Sequence, residues 1–413
     1  MIDAGLIADA TRADGTDPLR GFRDRFQLRG GLIYLDGNSL GALPTVTASR
    51  LTRVIAEEWG EGLITSWLDA EWSTAPQRVG DKIARLLGAA PGEIIAADST
   101  SVNIFKALTA ALSLRPGRNT LLSEATNFPT DVYMMQGIEA FSRGRVKAVT
   151  AGPDAVLEAL DDDVAVLLLT QVHYKSGRVR DMAKVTRKAH DAGALVVWDL
   201  SHSAGAIPVD LNGALADFAV GCGYKFLNGG PGAPAYLFAA ARHQAATPVL
   251  SGWFGHARPF AFEETYEPAP GIGRFLCGTP PVLGLAALEA GVDLMLEADM
   301  AEVQRKSLAL GELFMAGMEP LCARYGFMLV SERDPALRGS QVAYAHPQGY
   351  QIIQALREFD VIADFRAPDV LRFGLTPLYL RYRDIVETVE RLEQVCATKA
   401  WARPEFQVRA AVT

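Results

Sequence analysis

The stretch Met182-Ala-Lys-Val-Thr-Arg-Lys-Ala-His-Asp-Ala-Gly-Ala-Leu-Val-Val-Trp-Asp199 changes its period at Gly193. Residues 182–192 carry apolar and polar side chains at helical spacing. Gly193 is the residue type that ends a helix most readily, because a left-handed backbone costs it little. From Ala194 to Trp198 the chain is continuously apolar, the pattern of a strand buried on both faces, and it stops on a carboxylate, Asp199. Helix, glycine, buried strand and acid together make one unit of an open α/β sheet. In such sheets ligands gather beyond the carboxyl ends of the strands, so Asp199 is expected where chemistry takes place.

Working outward, short apolar runs at 93–97, 120–123, 146–150, 164–170, 217–222 and 235–239 are mostly separated by helical or turn-rich segments. This predicts an α/β fold with a mostly parallel sheet flanked by helices on both faces. After about Leu283 the pattern shifts to a long helical stretch reaching Tyr325, followed by short strands at 327–331, 342–345 and 370–373 among helices. A large domain over 61–283 and a smaller α+β domain over 284–413 are therefore expected. Residues 1–60, helical over 45–59, are too few for a large sheet and are expected to pack with the small domain.

The chain has 413 residues and a formal net charge of -8, without a long basic run. That balance argues against nucleic acid as a partner while leaving room for a local basic pocket. No apolar run approaches the roughly 18 residues of a membrane span, and Met1-Ile2-Asp3-Ala4 does not open a signal peptide. The four cysteines, Cys222, Cys277, Cys322 and Cys396, show neither a CxxC pair nor metal-ligand spacing. A cytoplasmic protein without a metal site is expected.

Gly221-Cys-Gly-Tyr-Lys-Phe-Leu-Asn-Gly-Gly-Pro-Gly232 sets Lys225 just after a buried strand and before a glycine-rich turn. Alone, this reads as an ordinary loop lysine. Asp199 changes the balance, because a buried carboxylate beside a pocket needs a cation to stay ionised. A protonated pyridine nitrogen is such a cation, and lysine is the residue that forms an imine, so the pair suggests a pyridoxal phosphate site. Asp98-Ser-Thr-Ser-Val-Asn-Ile-Phe-Lys106 combines a strand end, hydroxyl residues and a helix start. Thr100 and Ser101 there suit either a phosphate or a plain helix cap. Phe128, in Asn127-Phe-Pro-Thr-Asp131, suits either core packing or stacking on a flat ring beside Asp131.

Together these segments resemble the fold-type I pyridoxal phosphate enzymes, and most closely the kynureninase family, from about Tyr34 to Tyr382. The resemblance is carried by Tyr34-Leu-Asp-Gly-Asn-Ser-Leu-Gly41, Phe128-Pro-Thr-Asp131, Trp198-Asp-Leu-Ser-His-Ser-Ala-Gly205, Gly223-Tyr-Lys-Phe226 with Gly229-Gly-Pro-Gly232, Gly252-Trp-Phe-Gly-His256 and Arg372-Phe-Gly-Leu-Thr-Pro-Leu-Tyr379. It implies a Schiff base on Lys225, Asp199 on the ring nitrogen and Phe128 stacked on the ring. Asp131, Thr170 and His202 would line the ring's other edges. Thr100, Ser101 and Tyr224 would hold the phosphate, joined by Trp253 and Thr279 from the partner of a homodimer with shared sites.

The resemblance further implies Arg372 as the ligand of the substrate α-carboxylate, with Asn38, Ser39, Trp67 and His256 near the substrate. The implied reaction is hydrolysis of the Cβ–Cγ bond of L-kynurenine, or of its 3-hydroxy form, to anthranilate or 3-hydroxyanthranilate and L-alanine. Lys225 would act as base and Tyr224 as proton donor. Some family members carry asparagine where this chain has Thr279, which leaves the preference between the two substrate forms open. A cysteine desulfurase, an aminotransferase and a non-catalytic pyridoxal phosphate sensor are the alternatives. A desulfurase needs a cysteine on a mobile loop, whereas Cys322 and Cys396 fall in helical patterns.

Overall fold

A computed structural model describes residues 4–246 and 248–409. Seven strands form the central sheet in the order Ile94–Ala96, Tyr236–Ala239, Phe218–Gly221, Leu195–Asp199, Val164–Thr170, Thr120–Glu124 and Lys147–Ala151. All neighbours are parallel except at Tyr236–Ala239, which runs antiparallel to both of its partners. Successive side chains of a strand point to opposite faces, and the apolar residues divide accordingly. Val196 and Trp198 join one core with Val79, Ile83, Val185 and Leu288, while Leu195 and Val197 join another with Ile104, Leu108, Met135 and Ile138. Helices therefore cover both faces, which is why these strands read as unbroken apolar runs.

A four-stranded antiparallel sheet follows in the order Asp364–Arg366, Val370–Gly374, Gln341–Ala345 and Met328–Leu329. The strand expected at 327–331 is thus only two residues long, and the strand Asp364–Arg366 was not anticipated. The long helical stretch divides into Val282–Leu296 and Met300–Tyr325. The second helix starts anew because the Asp299 carboxylate accepts from Ala301 N at 2.9 Å, capping its first turn. The first of these helices packs on Ala75–Leu86, and the second on Tyr382–Ala397.

Helix Thr45–Arg53 continues into a wider π-turn over Val54–Trp59. The N-terminal helix Ala4–Thr16 lies against Tyr382–Ala397, and Ile33–Tyr34 pairs in parallel with Val361–Ile362. The segment after Tyr34 is thereby carried to the seam between the two sheets. There Gly41 N donates to Tyr224 O at 2.8 Å. A side chain at Gly41 would meet Lys225 O at 2.3 Å, so only glycine allows this approach.

Candidate active site

The parallel register pairs Thr170 with Asp199, so two strand ends open side by side. Asp199 is buried, and its Oδ1 accepts from Ser201 N at 2.7 Å. Burial raises its carboxyl above the usual carboxylate range, and the hydrogen bond from Ser201 only partly opposes this. The Thr170 hydroxyl donates to Asp199 O at 3.3 Å. Asp131 is buried as well, on the first turn of helix Pro129–Phe141, and neither of its oxygens makes a hydrogen bond. Burial, then the charge of Asp199, pushes its carboxyl well above the usual range.

Lys225 Nζ lies 3.0 Å from His202 Nε2 and 5.9 Å from the centre of the Phe128 ring. Burial, then Lys225, holds His202 neutral by lowering its pKa well below the ordinary value. In a neutral imidazole facing a lysine nitrogen, Nε2 accepts and Nδ1 carries the hydrogen, and Nδ1 has no partner. Phe128 is 40% exposed and packs against Tyr174 in a T-shaped pair at 5.2 Å, which leaves part of its ring accessible for stacking. Tyr224 is half-buried beside Lys225, its phenol pushed up by burial and by Cys222.

Ser99 caps helix Thr100–Ser113, accepting from Val102 N at 3.4 Å. The hydroxyl of Thr100 is buried and unpartnered. A helix start with uncommitted N–H groups and a hydroxyl suits an anion. A flat ring with hydrogen-bonding edges and a phosphate therefore fits the unpartnered atoms of Asp131, His202 and Thr100 and the accessible part of the Phe128 ring.

A second group assembles at the small sheet. Asp364 sits directly opposite Arg372 in the antiparallel register. Its carboxylate accepts from Arg372 Nε at 2.9 Å and from Nη2, so it occupies the fork expected for a substrate carboxylate. Arg372 is accordingly buried. It also donates to the Ser39 hydroxyl at 2.9 Å and to Tyr174 O at 2.6 Å. Asn38 is fully buried and donates to Gln341 Oε1 at 3.2 Å. Gln341 in turn donates to the carbonyls of Tyr174 and Lys175, which joins this group to the loop bracing Phe128.

Trp67, Trp253 and His256 lie in a third patch. Phe254 packs on both Trp67 and Trp253, and His256 packs on Tyr266 and faces Thr265 O at 3.1 Å. Thr279 is exposed in the turn preceding Pro280. Among the described residues no hydrogen bond, ion pair or ring contact joins this patch to Lys225. Sequence reasoning missed Asp36, Tyr174, Asp364 and Arg366. Only the alternation of Asp364 and Arg366 around an apolar residue offered a signal for any of them.

Among solved structures, a cysteine desulfurase of Escherichia coli superposes with a TM-score of 0.76 at 19% identity, covering 92% of this chain and 98% of that one. An apo cysteine desulfurase of Thermococcus onnurineus NA1 gives 0.77 at 16% identity, covering the same shares. These likenesses establish the fold. Residues 303–392 match the family model described as the kynureninase C-terminal domain. A kynureninase of Burkholderia pseudomallei strain K96243 is 50% identical over 98% of this chain and 99% of its own. One of Pseudomonas fluorescens is 46% identical over the same shares. With that identity along nearly its whole length, the chain belongs to the kynureninase family.

Proposed function

We propose that this protein is a pyridoxal phosphate-dependent kynureninase, hydrolysing the Cβ–Cγ bond of L-kynurenine to anthranilate and L-alanine. The observation that carries the reading is the convergence of Lys225, Asp199, His202 and the Phe128 ring at the carboxyl ends of the parallel strands, in a chain that is half identical to a kynureninase. The cofactor, when bound, supplies an imine-forming carbonyl and an electron-withdrawing ring that stabilises an adjacent carbanion.

Lys225, whose nitrogen is the amine next to the Phe128 ring, would hold the cofactor and, when its amine is free, would take the substrate α-proton. Asp199 keeps a ring nitrogen protonated. An anionic Asp199 is stable in its buried site only with a cation opposite it, so each charge supports the other. Phe128 orients the ring, and Asp131, Thr170 and His202 meet its edges. Thr100, Ser101 and Tyr224 take the phosphate with the helix N-terminus. Tyr224, with its phenol held in the protonated form, is the proton donor to the leaving β-carbon. Arg372, with Ser39 on its guanidinium and Asn38 in the adjoining group, takes the α-carboxylate through the N–H that Asp364, Ser39 and Tyr174 leave free.

We infer a homodimer in which Trp253 and Thr279 reach the partner's phosphate site, with Trp67 and His256 near the substrate. Support comes from exposed apolar side chains suited to a partner surface: Ile64 is 75%, Leu68 80% and Phe262 76% exposed. No described helix is long and apolar enough to cross a membrane. Four unpaired cysteines support a reducing, cytoplasmic setting.

The desulfurase alternative is disfavoured because all four thiols are pushed up by burial, away from the thiolate such chemistry requires. Incubating the loaded enzyme with L-kynurenine tests the proposal. Anthranilate and alanine in equal amounts are expected, and a keto acid or no product overturns it.

A further inference from the structure

We propose that Arg366 is a second cation of the substrate-carboxylate site, held in line with Arg372 by their shared counter-ion Asp364. The inference rests on the reading of Arg372 as the carboxylate ligand and deepens it.

A guanidinium has five N–H donors. Four of those on Arg372 are engaged: Nε and one Nη2 hydrogen by Asp364, the other Nη2 hydrogen by Ser39, and one Nη1 hydrogen by Tyr174 O. One N–H remains. A carboxylate has two oxygens, and a single donor gives neither the paired geometry nor the strength of an arginine fork. Arg372 alone is therefore an incomplete carboxylate site.

Arg366 supplies what is missing. Residues 364 and 366 are two apart in one strand and Asp364 faces Arg372 in register, so all three side chains project from one face of the sheet. Arg366 Nη2 lies 2.7 Å from Asp364 Oδ2 and 3.2 Å from the same Ser39 hydroxyl that Arg372 holds. Its other contact is a long one, from Nη1 to its neighbour Phe365 O at 3.3 Å. Among the described residues its Nε hydrogen has no partner. The side chain is 31% exposed, against 1% for Arg372, so Arg366 is the member of the pair that solvent or a ligand can reach.

Charge points the same way. While the neighbouring Asp36 is protonated, two arginines and Asp364 leave one positive charge in surplus, the complement of one carboxylate. Burial, then Arg372, lowers the pKa of Arg366, and Asp364 and Asp36 only partly oppose this. The expected ligand is an α-amino acid with a free carboxylate.

The test uses the cofactor-loaded enzyme turning over L-kynurenine, with L-alanine and L-alaninamide as competing inhibitors that differ only in the carboxylate. Wild type should prefer alanine. Arg366→Gln should weaken alanine by about 10- to 100-fold while alaninamide changes by less than about 3-fold, and Arg366→Lys should recover part of the loss. Cofactor absorbance and circular dichroism verify that each variant is folded and loaded. Arg366→Met, which keeps the apolar stem and loses the charge, should weaken alanine selectively too, and gives a second reading where Arg366→Gln folds poorly. Equal weakening of both inhibitors by Arg366→Gln would mean a purely structural role and overturn the proposal, as would no change in either. Arg372→Gln run alongside separates the two levels. If it abolishes the preference for alanine while Arg366→Gln does not, the inference fails alone. If neither variant does, the carboxylate lies elsewhere and the reading of Arg372 falls with it.

Discussion

Two buried aspartates on neighbouring segments of the central sheet meet opposite fates. Asp217, just before strand Phe218–Gly221, is saturated. His190 and His243 each lie 2.8 Å from one of its oxygens, Arg242 donates at 2.8 Å and Val196 N at 2.9 Å. Burial alone would raise its carboxyl, but these bonds, led by His190 and His243, hold it below the usual range. Asp199, at the opposite end of the adjacent strand, has a backbone donor but no ion pair, the charge of Lys225 offsets its burial only in part, and with the unpartnered Asp131 it stays raised. The amino end of the sheet is finished by the chain itself, whereas the carboxyl end is finished only with a ligand. Incomplete satisfaction of buried charge is therefore the physical mark of the working end.

Several substitutions break or sharpen this contrast. Lys225→Ala removes both the covalent anchor and the base, and turnover should fall by at least about 1,000-fold with the fold intact, as measured by single-turnover kinetics. Asp199→Ala should lower the rate by about 100- to 1,000-fold and weaken cofactor retention, as followed by absorbance on dialysis. Its effect on melting should be small, since that carboxylate does little for the apo fold.

Asp217→Asn should do the reverse. It should cost on the order of 2 kcal/mol of stability in denaturant titration while leaving kcat of the loaded enzyme nearly unchanged. Because the folded pKa of Asp217 is depressed, its contribution is present at neutral pH and lost as pH falls through the acid range, and the variant should lose that acid sensitivity.

How much of this was legible in the sequence follows from where the information lies. The central strands were readable because burial on both faces makes them continuous apolar runs, as in Leu195-Val-Val-Trp198. Lys225, Asp199 and Phe128 were readable because each follows or precedes such a strand or a helix start. Asp364, Arg366 and Asp36 were not. Their partners lie in remote segments, as Ser39 and Arg372 do, and only the small sheet's register brings them together. Strand Asp364–Arg366 is three residues long, so its single alternation is too brief to mark a strand. The antiparallel sense of Tyr236–Ala239 was equally hidden, because a buried run looks the same in either direction.

The smallest expected effect concerns Asp36. Burial, then the charge of Asp364, pushes its carboxyl up to about 7, opposed by Ser39, Arg372 and Arg366, and the phenols of Tyr34 and Tyr379 are also near it. Below that value Asp36 is largely neutral and the arginine pair keeps its surplus charge. Above it, Asp36 becomes an anion that competes with a substrate carboxylate. KM for L-kynurenine should rise a few-fold as pH climbs through about 7, and Asp36→Asn should flatten that rise.

The most direct test of the contrast between the two ends is chemical. Borohydride reduction of the pyridoxal phosphate-loaded protein, followed by peptide mass mapping, locates the lysine that carries the cofactor. The pyridoxyl group should lie on Lys225 alone. Its appearance on Lys106, the buried lysine tied to Asp98 and Phe275 O near the Thr100 helix start, or on a surface lysine, would contradict the assignment of the carboxyl end of the sheet as the cofactor site.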